Sequence, residues 1–166
     1  ARIIARLKPE REVVLAAATT EVGLPRKSVT PADLALARQA LAGNALSGRF
    51  SWAVEELSGD MLRLCAQDIP ALAALPPVLP AEVQVLRVGE SAWVGLPGEI
   101  FTEIGLAIRE GSPAWPTCVI GLANGNLGYI ATDRAYLHEG GYETYASMWS
   151  KVGVGAEQVV VEAARG

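Results

Sequence analysis

Residues 91–120 read SAWVGLPGEIFTEIGLAIREGSPAWPTCVI. A strand-like run at 91–96 stops at Pro97-Gly98, and an amphipathic stretch over 100–110 follows with Ile100, Ile104, Leu106 and Ile108 apolar. SPAWP then turns the chain into TCVIGL at 117–122, a short, wholly apolar run of the kind that fills a buried central strand. The pattern predicts a strand–helix–strand unit with parallel strands and a right-handed crossover. Both strands of such a unit end at the same edge of the sheet, and open α/β sheets carry their sites at that edge.

Working outward, AEVQVLRVGESAWV holds two strand-like runs, 82–88 and 91–96, around Gly89-Glu90, a hairpin signal. Upstream, EVVLAAATTEVGL (12–24) is rich in β-branched and small residues and predicts another strand. TPADLALARQALAGN predicts a helix with Thr30 at the N-cap, Pro31 at N1, Asp33 at N3 and a stop at Gly43-Asn44. A second helix is expected over 51–75, with Val54, Leu57, Met61 and Leu64 on one stripe, weakened at Gly59 and kinked or split at Pro70. The two helices together predict an αα-hairpin, closed by PPVLP at 76–80. ARIIARLK (1–8) fits a helix end stopped by Pro9, residues 123–154 are rich in loops, and GAEQVVVEAAR (155–165) predicts a final helix. The expected class is α/β: a mixed sheet with a βαβ crossover unit and an αα-hairpin, forming one domain portion over 1–166. Few strands and exposed sheet edges suggest a piece of a larger α/β domain.

The 166 residues are 51% hydrophobic, which suits a chain with a core rather than a disordered one. No stretch of eighteen residues lacks a charge, Gly or Pro, so no transmembrane helix is expected. The net charge of −4, with scattered Lys and Arg, gives no basic footprint for nucleic acid. Cys65 and Cys118 are expected as two buried thiols rather than a disulfide. A single histidine, His138 in YLHEGGYE, leaves too few His and Cys for a zinc site built from this chain alone.

Chemistry is expected where the βαβ unit opens. Glu99 leaves the first strand at its carboxyl edge, and the loop GLANGNLGY leaves the second strand there and delivers Tyr129. The two are far apart in sequence but can meet in space. Taken singly, each has a plainer reading: an acid favouring a helix N-terminus, and a packed aromatic whose hydroxyl bonds the backbone. Gly121, Gly125 and Gly128 do not have dinucleotide-loop spacing, so the loop reads as a sharp turn with Asn124 and Asn126 bonding the backbone. GGYETYASMWS sets Tyr142, Tyr145 and Trp149 beside a glycine pair, as a lid, a lining wall or simple loop packing.

LPGEIFTEIGLAI, VIGLANGNLGYIAT and EGGYE, in that order and spacing, resemble the neutral, non-lysosomal ceramidase family, in particular its bacterial neutral/alkaline ceramidase-like branch. The likeness extends to FSWAVEELSGDMLRL and VGVGAEQVVVEAA and so spans most of residues 50–165. Family members are zinc-dependent amidohydrolases that cleave the N-acyl bond of ceramide. The resemblance implies Glu99 as a zinc ligand, and Tyr129 as a second ligand beside the scissile amide. It implies Tyr142 as a residue that lines the substrate site and can hold the developing oxyanion, one residue further from Tyr129 than in the best-known members. The family's two zinc histidines, its serine motif and its substrate-clamping arginine lie in an N-terminal part, and none matches a residue here. The resemblance therefore implies half of a larger α/β catalytic domain, with an N-terminal partner portion, possibly a separate chain, that supplies the remaining zinc ligands. It also implies a lipid or other N-acylated substrate, inactivity of this chain by itself, and a secreted or periplasmic setting. The alternative kept open is a non-catalytic binding or structural fragment without metal. A metal-independent hydrolase is disfavoured, because one histidine cannot complete a Ser/His/Asp set.

Overall fold

The computed structural model describes residues 12–165 together with Arg6 and Lys8. The helix end expected over 1–8 therefore lies outside the described residues apart from those two. The elements are β1 (Leu15–Pro25), α1 (Pro31–Leu41), β2 (Ser47–Gly48), β3 (Leu57–Ser58) and α2 (Gly59–Ala74), then β4 (Val78–Val88), β5 (Ser91–Gly95) and β6 (Glu99–Ile100). They continue with α3 (Thr102–Gly111), β7 (Thr117–Ile120), β8 (Tyr129–Ile130) and α4 (Ala156–Arg165).

The main sheet is mixed, with strand order β1-β4-β5-β7. β1 and β4 pair antiparallel from Leu15↔Val88 to Pro25↔Val78, and β4 and β5 form the expected hairpin. β5 and β7 pair parallel, from Ala92↔Thr117 to Gly95↔Ile120, with α3 as the crossover. PPVLP does not close a helical section: β4 starts inside it at Val78 and includes Pro80. The β5 ladder ends at Gln84, so Pro80 sits where β4 is paired by β1 alone and a missing N–H is tolerated.

Side chains alternate across this sheet, and only one face is covered. Leu79, Ala81, Val83 and Val94 are buried against Ile104 and Ile108 of α3 and Val160 of α4. The register row Leu86–Trp93–Cys118 lies on the other face, where Leu86 is 41% and Trp93 42% exposed. Cys118 is half-buried and free, not a buried thiol as expected, because it stands on that uncovered face. Cys65 is fully buried and free, and burial pushes its thiol pKa up to about 12.

The α1 start follows the sequence closely. Thr30 Oγ1 accepts from Asp33 N at 3.2 Å, and Asp33 Oδ2 accepts from Thr30 N at 2.8 Å, a reciprocal capping box. α2 departs from expectation. Its first turn begins at Gly59, because Leu57-Ser58 are drawn into a ladder with Ser47-Gly48. A β2–β3 ribbon thus separates the two packed helices. The buried stripe is Leu62, Cys65, Ala66, Ile69 and Leu72, while Leu64 is 44% exposed. Both sets recur at helical spacing, and contact with α1, Phe50 and Leu57 decides which one is inside. The helix runs unbroken through Pro70, held by the fully buried Ile69 and Leu72 on either side.

Candidate active site

β5 ends at Gly95, and the chain passes through the buried Leu96-Pro97-Gly98 turn at the carboxyl edge of the sheet. Glu99 then enters a two-residue parallel ladder between β6 and β8, paired Glu99↔Tyr129 and Ile100↔Ile130. Backbone bonds fix the pair: Glu99 N donates to Gly128 O at 2.9 Å and Phe101 N to Ile130 O at 3.1 Å. α3 begins only at Thr102, and the acid of its first turn is Glu103. The plain reading of Glu99 as a helix-start acid is thereby overturned. Register partners in a parallel ladder project to the same face, so the Glu99 carboxylate and the Tyr129 phenol share one rim.

The loop after β7 is laced to that turn. Leu122 N donates to Gly98 O, Ala123 N to Leu96 O and Leu127 N to Pro97 O, all within 2.8–2.9 Å. Asn126 Oδ1 accepts from Gly128 N at 2.8 Å, the expected side-chain turn. Asn124 contributes differently, by taking a left-handed φ of 61°. Gly128 is needed twice over. Its φ is +80°, and a Cβ there would lie 1.9 Å from Trp149 O. This close approach lets Tyr129 N donate to Trp149 O at 2.9 Å.

Tyr142 arrives from a different segment. Gly140 (φ 74°) and Gly141 (φ 94°) reverse the chain after a π-helical turn at Ala135–Glu139, and a 3-10 turn at Tyr142–Thr144 follows. The Tyr129 and Tyr142 hydroxyls are 3.2 Å apart, and their rings meet edge to face at 5.6 Å. The Tyr129 hydroxyl thus meets another phenol rather than a backbone group. Tyr129 is half-buried, and Tyr142 is 50% exposed. The hydrogen bond with Tyr142 raises the Tyr129 pKa above that of an ordinary phenol, with desolvation and the Glu99 carboxylate adding to the effect. Charge and hydrogen bonding therefore add to the ordinary preference of a phenol for its protonated form.

Two supports were not legible in the sequence. Glu55 Oε1 accepts from Tyr145 Oη at 2.5 Å and from Gly141 N at 3.4 Å, pinning the turn that carries Tyr142. Trp149 Nε1 donates to Tyr142 O at 3.4 Å. Nothing local marks Glu55: it lies in the stretch expected to be helical, 86 residues from Gly141. Tyr145 and Trp149 thus pack and position, one of the roles open to them from sequence. His138 is exposed on the π-helical turn.

The arrangement offers one carboxylate and two adjoining phenols on an accessible rim. Zinc takes three or four donors. Among the described residues no group of three or more His, Cys, Asp or Glu could hold a metal ion. Glu99 and Tyr129 on their own supply two donors and do not fit a zinc ion.

No protein-family model matches the chain, and no curated protein does. Solved structures similar to it include a ceramidase complexed with C2, at 23% identity and a TM-score of 0.44 over 54% of this chain. Another is the neutral ceramidase from Pseudomonas aeruginosa, at 18% identity and a TM-score of 0.46 over 92% of this chain. The chain spans 14% and 28% of the lengths of these two proteins. At such low identity and superposition scores, any functional reading has to rest on the side-chain geometry.

Proposed function

We propose that this chain carries part of the active site of a zinc-dependent amidohydrolase that cleaves the N-acyl amide bond of ceramide or a related N-acylated substrate. An N-terminal portion, in the same polypeptide or in a separate chain, supplies the remaining zinc ligands. The observation that carries the reading is the trio itself. Glu99 and Tyr129 are register partners, and the Tyr129 hydroxyl stands 3.2 Å from that of Tyr142. These are the residues to which the sequence resemblance assigns a ligand, a ligand beside the scissile bond, and an oxyanion holder.

The chain's own groups suit acyl transfer. A phenol can donate to a carbonyl oxygen as it gains negative charge, and a preorganised donor aimed at that oxygen stabilises the transition state. The two hydroxyls are hydrogen-bonded to each other, so one of them donates within the pair and the other is left to donate to a substrate oxygen. The Glu99 carboxylate is exposed on the same rim, where it can accept a proton or share in binding a cation. The uncovered sheet face and the free edge of β7 give the proposed N-terminal portion an apolar surface to cover.

The test compares this chain alone with the longer polypeptide that contains it, measuring bound zinc and hydrolysis of a fluorescent N-acyl sphingosine. The proposal expects zinc and activity together in the longer polypeptide and neither in the chain alone. Zinc-free hydrolysis, or a longer polypeptide that binds zinc but cleaves no N-acyl amide, would refute it.

A further inference from the structure

A cavity of about 480 Å³ is lined by none of Glu99, Tyr129 or Tyr142. It opens between the end of β1, the loop before β3 and the π-helical turn. Arg26, Lys27 and Arg49 line it, and no Asp or Glu does, in a chain of net charge −4.

The three cations are differently committed. Lys27 is 5% exposed, and its Nζ donates to Ser150 O, Ser150 Oγ and Val152 O at 2.6–2.9 Å, while lying 4.6 Å from the Tyr136 ring centroid. Its Nζ is spent on these three acceptors, so it offers no free donor to a ligand. Burial acts against the Lys27 charge and lowers its pKa; the three acceptors and the ring favour it.

The arginines keep donors in reserve. Arg26 spends Nε on Pro76 O and one terminal nitrogen on Lys27 O. Arg49 spends Nε on Ala53 O. Neither guanidinium is in a salt bridge among the described residues. Asp33, which bonds the lining residue Ser51, is already occupied by four donors from Thr30 and Ser51. The rest of the wall is largely apolar, with Trp52, Val54, Leu137 and Val154, and includes the hydroxyl residues Ser28 and Ser51. Two guanidinium groups with open N–H forks fit a carboxylate or phosphate group. An apolar wall around them fits a ligand with a hydrocarbon body.

We propose that this cavity binds a small organic anion, its carboxylate or phosphate group held by Arg26 and Arg49 and its apolar part resting on Trp52 and Leu137.

The probes are octanoate and octyl phosphate, titrated calorimetrically into the chain, with octan-1-ol and inorganic phosphate as the headless and tailless controls. One octyl anion binds per chain, and each control binds at least about tenfold more weakly. Comparison of the two octyl anions separates a carboxylate from a phosphate site. Arg49→Gln, at an exposed position, weakens binding about tenfold or more without loss of fold, and Arg26→Gln does the same. Arg26 also ties two backbone carbonyls, so its variant is read only with an unchanged circular dichroism spectrum. Wild-type affinity measured against rising salt needs no variant and should fall. Failure of both octyl anions to bind, equal binding of octan-1-ol, inorganic phosphate as tight as octyl phosphate, or unchanged affinity in Arg49→Gln would each overturn the proposal.

Discussion

Glu99 and Tyr129 are register partners in a parallel ladder of two residues, and the Tyr129 hydroxyl in turn stands 3.2 Å from that of Tyr142. Three segments, from the exit of β5, the exit of β7 and the glycine-paired turn after residue 139, thus converge on one rim. The ladder is too short to persist without support. It is held by the bonds from the 122–127 loop to Leu96, Pro97 and Gly98 and by the Tyr129–Trp149 backbone contact.

Removing either hydroxyl tests what the pair is for. In the longer polypeptide of the proposed function, Tyr129→Phe and Tyr142→Phe are each expected to lower kcat for N-acyl amide hydrolysis by about 100- to 1000-fold with little change in KM. Both side chains are substantially accessible, so the thermal midpoint should barely move. Steady-state kinetics and a melting curve on the same samples check this. A kcat within twofold of wild type in both variants removes the phenols from the chemistry.

The approach of the 122–128 loop to Trp149 leaves no room for a side chain. Gly128→Ala would set a Cβ 1.9 Å from Trp149 O at a φ of +80°. The expected cost is about 2 kcal/mol or more, since backbone strain and a steric clash add. Urea unfolding measures it. Gly43→Ala is the control: its φ is +77°, but no atom lies within 4 Å of the added Cβ, so it should cost less. Equal losses at the two positions would mean that conformation alone, not close packing at Trp149, makes Gly128 necessary.

These contrasts show how far local sequence reaches. The α1 capping box, the β4–β5 hairpin and the β5-α3-β7 crossover were all legible, because each is written in contiguous residues: Thr30 to Asp33, Gly89-Glu90, and the 91–120 stretch. The α2 stripe was not, because two apolar sets share helical spacing and only packing against α1 chooses between them. The Glu99–Tyr129 meeting followed from sheet topology. Their ladder, and the removal of Glu99 from the helix, depend on Gly128 and Ile130 carbonyls some 30 residues away. Glu55 and the Arg26–Arg49 cavity carry no local signal at all, since each joins segments distant in the chain.

Asp33 offers a pH-dependent test of the α1 start. Burial pushes its pKa up, but hydrogen bonds from Ser51 and Thr30 outweigh that, leaving it below the ordinary carboxylate value. A depressed folded-state pKa means that its stabilisation is present above the unfolded value of about 4 and is lost as pH falls through the lower folded value. Asp33→Asn should therefore cost about 1–3 kcal/mol at pH 7. The gap between wild type and variant should narrow as pH drops below about 4. Denaturant midpoints at several pH values report both. A gap independent of pH would show that the carboxylate charge is irrelevant to the cap.

The most direct measurement of the central claim is bound zinc and N-acyl amide hydrolysis in the complete polypeptide carrying Glu99→Gln, beside wild type. Glutamine keeps the shape and the β6–β8 backbone ladder but removes the charge. The account predicts that zinc occupancy and amidase rate fall together while the melting temperature stays close to wild type. Both quantities unchanged would contradict it, because Glu99 would then stand on the rim without taking part.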